Sequence, residues 1–329
     1  MNRFLFLLFL WLVWLPHTSW AWDAPITLTE QIALPHHMPR EVAFEALRTR
    51  LWLHGLEKSA DSIKQKRLLA LSVPPHLHLA LAHSALATTI TEEWRNEDTI
   101  TLRATLSLRD PKGNMQEERL ALVNTLVEDA KQTLLALDSV WPSGHIYTEP
   151  KALPPAKKKP LTQNWLKLAN TLKALWLTQQ AITPLQTNWL TQASAQENLE
   201  EANRLHPKDP RILTLLGEAC LLHNNPQKAL DYTSLALSIA PQTHRARYIR
   251  ALGYWKMHQL GLAENDLSLA IDACTPKKAA PSYYRERGTV RMILGKTESM
   301  CADFHTACQM GDCEGLKYAR SKNLCPHDP

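Results

Sequence analysis

The chain has 329 residues and a formal net charge of +5. This length has room for two domains, and so small a net charge disfavours a dedicated nucleic-acid binder, which would carry a concentrated basic face. Glycine is scarce, and the sequence contains no phosphate-binding glycine loop, His-Glu-x-x-His or Gly-x-Ser-x-Gly motif. These features count against an enzyme and predict no cofactor.

Residues 1–21 have the pattern of a secretory signal peptide. Arg3 precedes the apolar run FLFLLFLWLVWL, Pro16 follows it, and Ser19 and Ala21 are small residues at the places that determine cleavage. The apolar run is shorter than the roughly 20 residues that a membrane-spanning helix needs. We therefore expect cleavage after Ala21 and a periplasmic or secreted protein with no transmembrane segment after cleavage. A retained amino-terminal anchor is the alternative.

Residues 25–142 have the pattern of a small α+β domain. ITLTEQIAL (26–34) alternates like a strand. A helix is expected from Met38 to Ala60, and DTITLRATLSLRD (98–110) alternates apolar and polar residues as a strand with one buried face. A long helix from about Met115 to Leu137 completes the domain, which the element order predicts to contain a half-exposed sheet.

Two phrases of this region resemble a known envelope domain. REVAFEALRTRLWLHGLEKSADSI (40–63) is followed, after a long interval, by a strand that opens near EEWRNEDTITLRATLSL (92–108). This order is similar to the amino-terminal domain of envelope proteins such as flagellar assembly protein T. The resemblance implies an adaptor role in a bacterial envelope.

Histidines are concentrated in one segment, 76–90, whose pattern is ambiguous between strand and helix. His76, His78 and His83 lie close together, and His36 and His37 precede them. A His-x-His pair on a strand directs both imidazoles to one face and can supply two zinc or copper ligands. The PPHLHLALAH segment contains no Asp or Glu, so surface or half-buried histidines are favoured over a metal site, and no metal is predicted. Zinc bound to the purified protein would favour the metal-dependent enzyme instead.

Residues 143–160 have the composition of a Pro/Lys-rich linker. Lys157, Lys158 and Lys159 lie between prolines, which predicts an extended, solvated segment. The lysines are expected to aid solubility, with contact to an anionic surface as the alternative. The helical region is then expected over 161–329, and its first helix is expected to end near Thr178, before Pro184.

A pattern of small residues recurs from residue 210 onward. Gly217, Ala251 and Gly288 align, and an alanine follows each of them at the same interval. A period of about 34 residues with a small residue in each of two helices is typical of stacked helix-turn-helix units. The positions predicted to lie where helices touch are Gly217, Ala229, Ala236, Ala251, Ala270, Gly288 and Ala307.

This pattern resembles the tetratricopeptide repeat (TPR) family. The copies are ILTLLGEACLLHNNPQKALDYTSLALSIAP (212–241), ARYIRALGYWKMHQLGLAENDLSLAIDACTP (246–276) and SYYRERGTVRMILGKTESMCADFHTAC (282–308). The third copy has Met300 where the family prefers alanine, and SAQENLEEANRLHPKDP (194–210) reads as a degenerate second helix. The resemblance implies an all-α helical-repeat solenoid that serves as a binding scaffold.

In such solenoids the first helix of each unit lines a concave groove. The candidate groove residues include four cations, one anion and two aromatic residues, which favour an extended peptide with acidic and apolar side chains. Solvated side chains without a ligand are the alternative. The best-known peptide-binding subtype requires asparagine at a place occupied here by Glu218, Leu252 and Thr289, so its binding mode does not carry over. The predicted groove residues are Arg211, Glu218, Arg245, Tyr248, Trp255, Lys256 and Arg285.

Four of the six cysteines lie near the carboxyl end, where export makes disulfides the expected state. Cys301 and Cys308 are about 10 Å apart if they share a helix, which exceeds the roughly 7 Å limit for a disulfide. A chain reversal at residues 311–312 would bring Cys308 to Cys313 and leave Cys301 to pair with Cys325. A bond between Cys274 and Cys308 is the main rival. The ending is similar to a cysteine-rich cap of some exported bacterial repeat proteins.

The expected protein is therefore an exported, non-enzymatic scaffold or adaptor that binds a protein or peptide partner. A structural component of an envelope or motility machine is the first alternative, and a metal-binding enzyme is the second.

Overall fold

The structure is a computed structural model and describes residues 26–33, 39–65, 86–95, 99–108, 117–140, 155–182, 189–274 and 279–325. The predicted signal peptide and the histidines at 36–37 and 76–83 lie outside these residues. The chain divides into two compact units, one of residues 1–36 and 50–114 and the other of residues 37–49 and 115–329.

The first unit contains a three-stranded antiparallel sheet in the order β1-β3-β2. Its strands are β1 (Ile26–Ala33), β2 (Leu86–Arg95) and β3 (Thr99–Leu108). The alternation predicted for β3 holds around Leu102, which is fully buried between partly exposed neighbours. The ambiguous histidine-containing segment is a strand from Leu86 onward.

Helix α1 (Arg40–Gln65) contributes residues to both units. It begins close to the predicted Met38 and continues past the predicted end at Ala60. Within the first unit, Trp52 and Leu56 are buried, and His54 Nδ1 lies 3.1 Å from Glu30 Oε1 of β1.

The second unit is a series of helices joined mostly by short turns. From α5 onward, two helices per repeat follow the predicted phase, so the helical-repeat prediction is confirmed there. The helices are α2 (Glu117–Val140), α3 (Pro155–Ile182), α4 (Trp189–Leu205), α5 (Pro210–Leu222), α6 (Pro226–Ile239), α7 (His244–Lys256), α8 (Leu260–Ala273), α9 (Pro281–Ile293), α10 (Thr297–Gln309) and α11 (Glu314–Ser321).

The predicted linker at 143–160 needs correction at its end. Helix α3 begins at Pro155, so residues 155–160 are helical rather than extended. Proline is well tolerated in the first turn of a helix, and alanine and lysine are good helix formers, so the composition permits both states. The same helix continues to Ile182, beyond the predicted end at Thr178.

The division between the units also differs from the predicted boundary near residue 142. Helix α2 belongs to the second unit, whereas its sequence position grouped it with the sheet. One reason is a direct contact, since Arg211 Nη1 donates to Asp129 Oδ2 at 2.5 Å. A contact between residues so far apart in sequence leaves no local signature.

All seven positions predicted for helix contacts are buried. A Cβ atom on Gly217 would lie 2.6 Å from Cγ2 of Thr233, on the other helix of the same pair. A Cβ atom on Gly288 would lie 2.6 Å from the ring of Phe304. At both positions a residue with a Cβ atom would force its neighbour to shift, because Cβ contacts shorter than 3.0 Å essentially never occur.

Two disulfides hold the carboxyl-terminal cap, and they join the predicted pairs. Cys301 is bonded to Cys325 with Cα atoms 5.7 Å apart, and Cys308 to Cys313 with Cα atoms 4.0 Å apart. Gly311 has φ +99°, which lets the chain reverse between α10 and α11. Cys274, the proposed rival partner of Cys308, is buried and belongs to neither of these two disulfides.

Candidate binding face on the first helices

The candidate site lies on α5, α7 and α9, the first helices of three successive pairs, and we call it the first-helix face. Local sequence sets where these helices begin. Pro210 and Pro281 occupy first-turn positions, where the missing N–H costs nothing. Asp209 caps α5 by accepting a hydrogen bond from the Arg211 backbone N–H at 2.8 Å.

Arg211 is held by two carboxylates. Its guanidinium donates to Asp209 at 2.6 to 3.2 Å and to Asp129 of α2 at 2.5 Å. Burial opposes the charge on Asp209, but the hydrogen bonds and positive charge of Arg211 outweigh it and lower the pKa of Asp209. The same contacts outweigh the desolvation of Arg211 and raise its pKa. The Arg211 guanidinium therefore stays protonated, and its positive charge is already balanced by the two carboxylates of Asp209 and Asp129.

Glu218 and Arg245 form an ion pair between α5 and α7. Arg245 Nη2 donates to Glu218 Oε2 at 2.8 Å, and both side chains are largely buried. A hydrogen bond in such a buried place is electrostatically stronger than one in water, because the local dielectric constant is low. The pair links two successive first helices.

An aromatic stack links α7 to α9. The rings of Tyr248 and Tyr283 are 4.3 Å apart and nearly parallel, and His244 Nδ1 lies 3.1 Å from the Tyr283 hydroxyl oxygen. Burial, reinforced by the negative charge of Glu286, raises the pKa of Tyr248 to about 12. Tyr248 is therefore a neutral hydroxyl at physiological pH.

Arg285 of α9 is also paired within the protein. It donates to Glu286 at 2.9 Å and to Asp312, in the turn before α11, at 2.6 Å. Desolvation works against its charge, but the carboxylates prevail and raise the pKa of Arg285. This pair attaches the carboxyl-terminal cap to the face.

Trp255 and Lys256 lie at the end of α7 in a different environment. Trp255 is half-buried and packs beside the apolar cluster that contains Ala251 and Val290. Lys256 is exposed, and its Nζ donates to the Leu221 carbonyl and to Asn224 Oδ1, both at 3.3 Å. Both acceptors are neutral oxygens.

The structure therefore brings most predicted groove residues into contact with protein groups. Asp209, Asp312 and Tyr283 are partners that sequence reasoning did not identify. Sequence reasoning also missed two buried aspartates. Asp266 pairs with Arg250, and Asp303 pairs with Arg287.

A sequence signal for these missed pairs exists in the two later repeats. Arg250 and Arg287 each precede an aligned small residue, and each aspartate stands sixteen residues after its arginine. Such a shared interval of opposite charges marks a repeated ion pair between the two helices of one unit.

Within the described residues, no three His, Cys, Asp or Glu side chains are grouped so as to hold a metal ion. Among the described helices, none is both long and apolar enough to cross a membrane.

Comparisons with known proteins find likenesses only to solved structures, at low sequence identity and low TM-score. No family model matches the chain, and no curated protein matches it in sequence. A crystal structure of MamA is 17% identical over 52% of this chain and 99% of its own, with a TM-score of 0.36. A second MamA structure, from Desulfovibrio magneticus RS-1, is likewise 17% identical, over 51% of this chain and 93% of its own, with a TM-score of 0.36. YrrB, described as a TPR protein with an unusual peptide-binding site, is 13% identical over 61% of this chain and 97% of its own, with a TM-score of 0.38.

Proposed function

We propose that this protein is a non-enzymatic scaffold or adaptor whose repeats bind a peptide or protein segment on the first-helix face. The observation that carries the proposal is the end of α7, where half-buried Trp255 adjoins exposed Lys256. Aromatic side chains in this state are typical anchors for a partner because they bury a large area at little entropic cost.

The cellular setting is part of the same proposal. The signal-like residues 1–21 and the two disulfides support export to an oxidising compartment, where disulfides persist. The partner would then belong to the cell envelope, and the sheet-containing unit would dock to a second envelope component.

A purely structural role is the second candidate. The links along the face, Glu218 to Arg245 and Tyr248 to Tyr283, favour it because they hold successive helices together without any ligand. Such a stack would serve assembly of an envelope or motility machine and would retain no specific peptide.

Selection of a displayed random-peptide library on the whole purified chain tests the proposal. Selected peptides should lose about 1 to 3 kcal/mol of binding free energy on Trp255→Ala, as truncated anchors do. Tyr318→Ala, which removes an exposed aromatic side chain from α11, is the matched control and should leave affinity unchanged. Failure to select any specific peptide, or equal losses in both variants, would favour the structural role.

A further inference from the structure

The charges of the first-helix face restrict where an anionic group of a ligand can bind. The three arginines among the predicted groove residues, Arg211, Arg245 and Arg285, are each paired with at least one carboxylate, as set out above. A ligand carboxylate would have to displace a carboxylate of the protein from any of them. Such an exchange gains little, because one charge-assisted bond replaces another.

Lys256 lies outside this network. Its Nζ contacts two neutral oxygens, the Leu221 carbonyl and Asn224 Oδ1, and the side chain is exposed. A ligand carboxylate can therefore approach the ammonium group without displacing an anionic partner among the described residues.

Two exposed apolar side chains occupy the equivalent places on either side. Leu222, Lys256 and Ile293 each follow the aligned small residue of their repeat by five positions, and each is the last residue of its helix. Leu222 is 46% exposed and Ile293 is 53% exposed. The helix ends follow one another in the order α5, α7, α9. Lys256 at the end of α7 contacts the end of α5, and Trp255 beside it packs near Val290 of α9. We call these three residues the helix-end row.

The spacing of the row sets the spacing of its ligand. Packed helices lie about 8 to 10 Å apart. A chain in the polyproline II conformation advances about 3.1 Å per residue and returns its side chains to the same face every three residues. One step along the row therefore corresponds to about three residues, or one full turn, of a peptide in the polyproline II conformation.

We propose that the helix-end row binds a peptide segment in the polyproline II conformation, with an acidic residue at its centre and a large apolar residue three positions before and after it. The carboxylate pairs with Lys256, and the apolar side chains cover Leu222 and Ile293. This inference rests on the proposed peptide-binding function and adds the ligand pattern and its position on the face.

The probe is a fluorescein-labelled peptide with blocked ends that contains Leu-Ala-Ala-Asp-Ala-Ala-Leu, titrated with the whole purified chain by fluorescence anisotropy. Replacing its Asp with Asn should weaken binding by about two- to fivefold, the usual size for an exposed ion pair. Replacing Asp with Lys should weaken it further. A shuffled peptide with adjacent leucines should bind at least fivefold more weakly.

Charge reversal on the protein gives the decisive comparison. Lys256→Glu should weaken binding of the Asp peptide and improve binding of the Lys peptide, whereas Lys317→Glu, an exposed charge on α11, should change neither. Leu222→Ser and Ile293→Ser should each weaken the Asp peptide by about fivefold or more. Leu262→Ser, at a leucine 50% exposed on α8, should have no effect.

Each other result overturns the inference. If the peptide binds but Lys256→Glu leaves its preference unchanged, the row is not the site, while the peptide-binding function stands. If library peptides bind and the Leu-Ala-Ala-Asp-Ala-Ala-Leu peptide does not, the ligand pattern is refuted alone. If no peptide of either kind binds, the proposed function fails as well.

Discussion

The contact between Gly288 and Phe304 gives a quantitative test of how the repeats pack. In Gly288→Ala, the added Cβ would lie 2.6 and 2.7 Å from two ring atoms of Phe304 and 3.3 Å from Cβ of Asp303. The ring cannot simply move away, because it is buried and also packs closely against Gly315. An added Cβ at Gly315 would lie only 2.5 Å from the ring. The substitution therefore overpacks a confined aromatic ring.

The change in unfolding free energy caused by Gly288→Ala has two parts of opposite sign. Overpacking a core costs about 1 to 3 kcal/mol, whereas replacing glycine by alanine inside a helix gains about 1 kcal/mol. Gly261→Ala in α8 is the control, because no heavy atom lies within 4 Å of its added Cβ. The difference in unfolding free energy between the two variants isolates the overpacking cost, expected at about 1 to 3 kcal/mol.

Urea unfolding followed by the helical circular dichroism signal measures this difference. Phe304→Leu in the Gly288→Ala background should recover part of the loss, measured against Phe304→Leu alone. Equal unfolding midpoints for Gly288→Ala and Gly261→Ala would refute the close approach and the repeat phase derived from it.

Two further predictions concern the cap and the start of α5. Cys325→Ser removes the bond to Cys301 and should lower the unfolding free energy by about 3 kcal/mol; reductant should then destabilise the parent more than the variant, and equal effects would show that this bond contributes no stability. Asp209 has a lowered pKa in the folded state, so its contribution to stability is present above the unfolded pKa of about 4 and is lost as pH falls through the folded value. Removing the charge that Arg211 stabilises, with Asp209→Asn, should flatten the acid side of the stability profile, while Asp272→Asn at an exposed site should not; identical profiles for the two variants would contradict the assignment.

Local periodicity in the sequence predicted β3 and the repeat helices. The alternation in 98–110 predicted β3, and the recurring small residues predicted α5 through α10 with their contact positions. These signals are readable because a strand repeats every two residues and a helix every 3.6. The rise along one helix excludes a bond between Cys301 and Cys308. This exclusion narrowed the pairing of the terminal cysteines but left a bond between Cys274 and Cys308 open.

Only the tertiary structure decided how the charges of the face are used. Arg211 read as a ligand-binding cation, yet it meets Asp129, which lies in a helix that the sequence had placed with the sheet. Arg245 and Glu218 likewise read as separate groove residues, although they bond to each other across two helices. A long side chain can reach several neighbours, and which of them is in range depends on helix packing rather than on any local pattern. The composition of residues 155–160 could not distinguish a linker from a helix either, because proline and lysine occur in both. The structure shows that these residues form the first turns of α3.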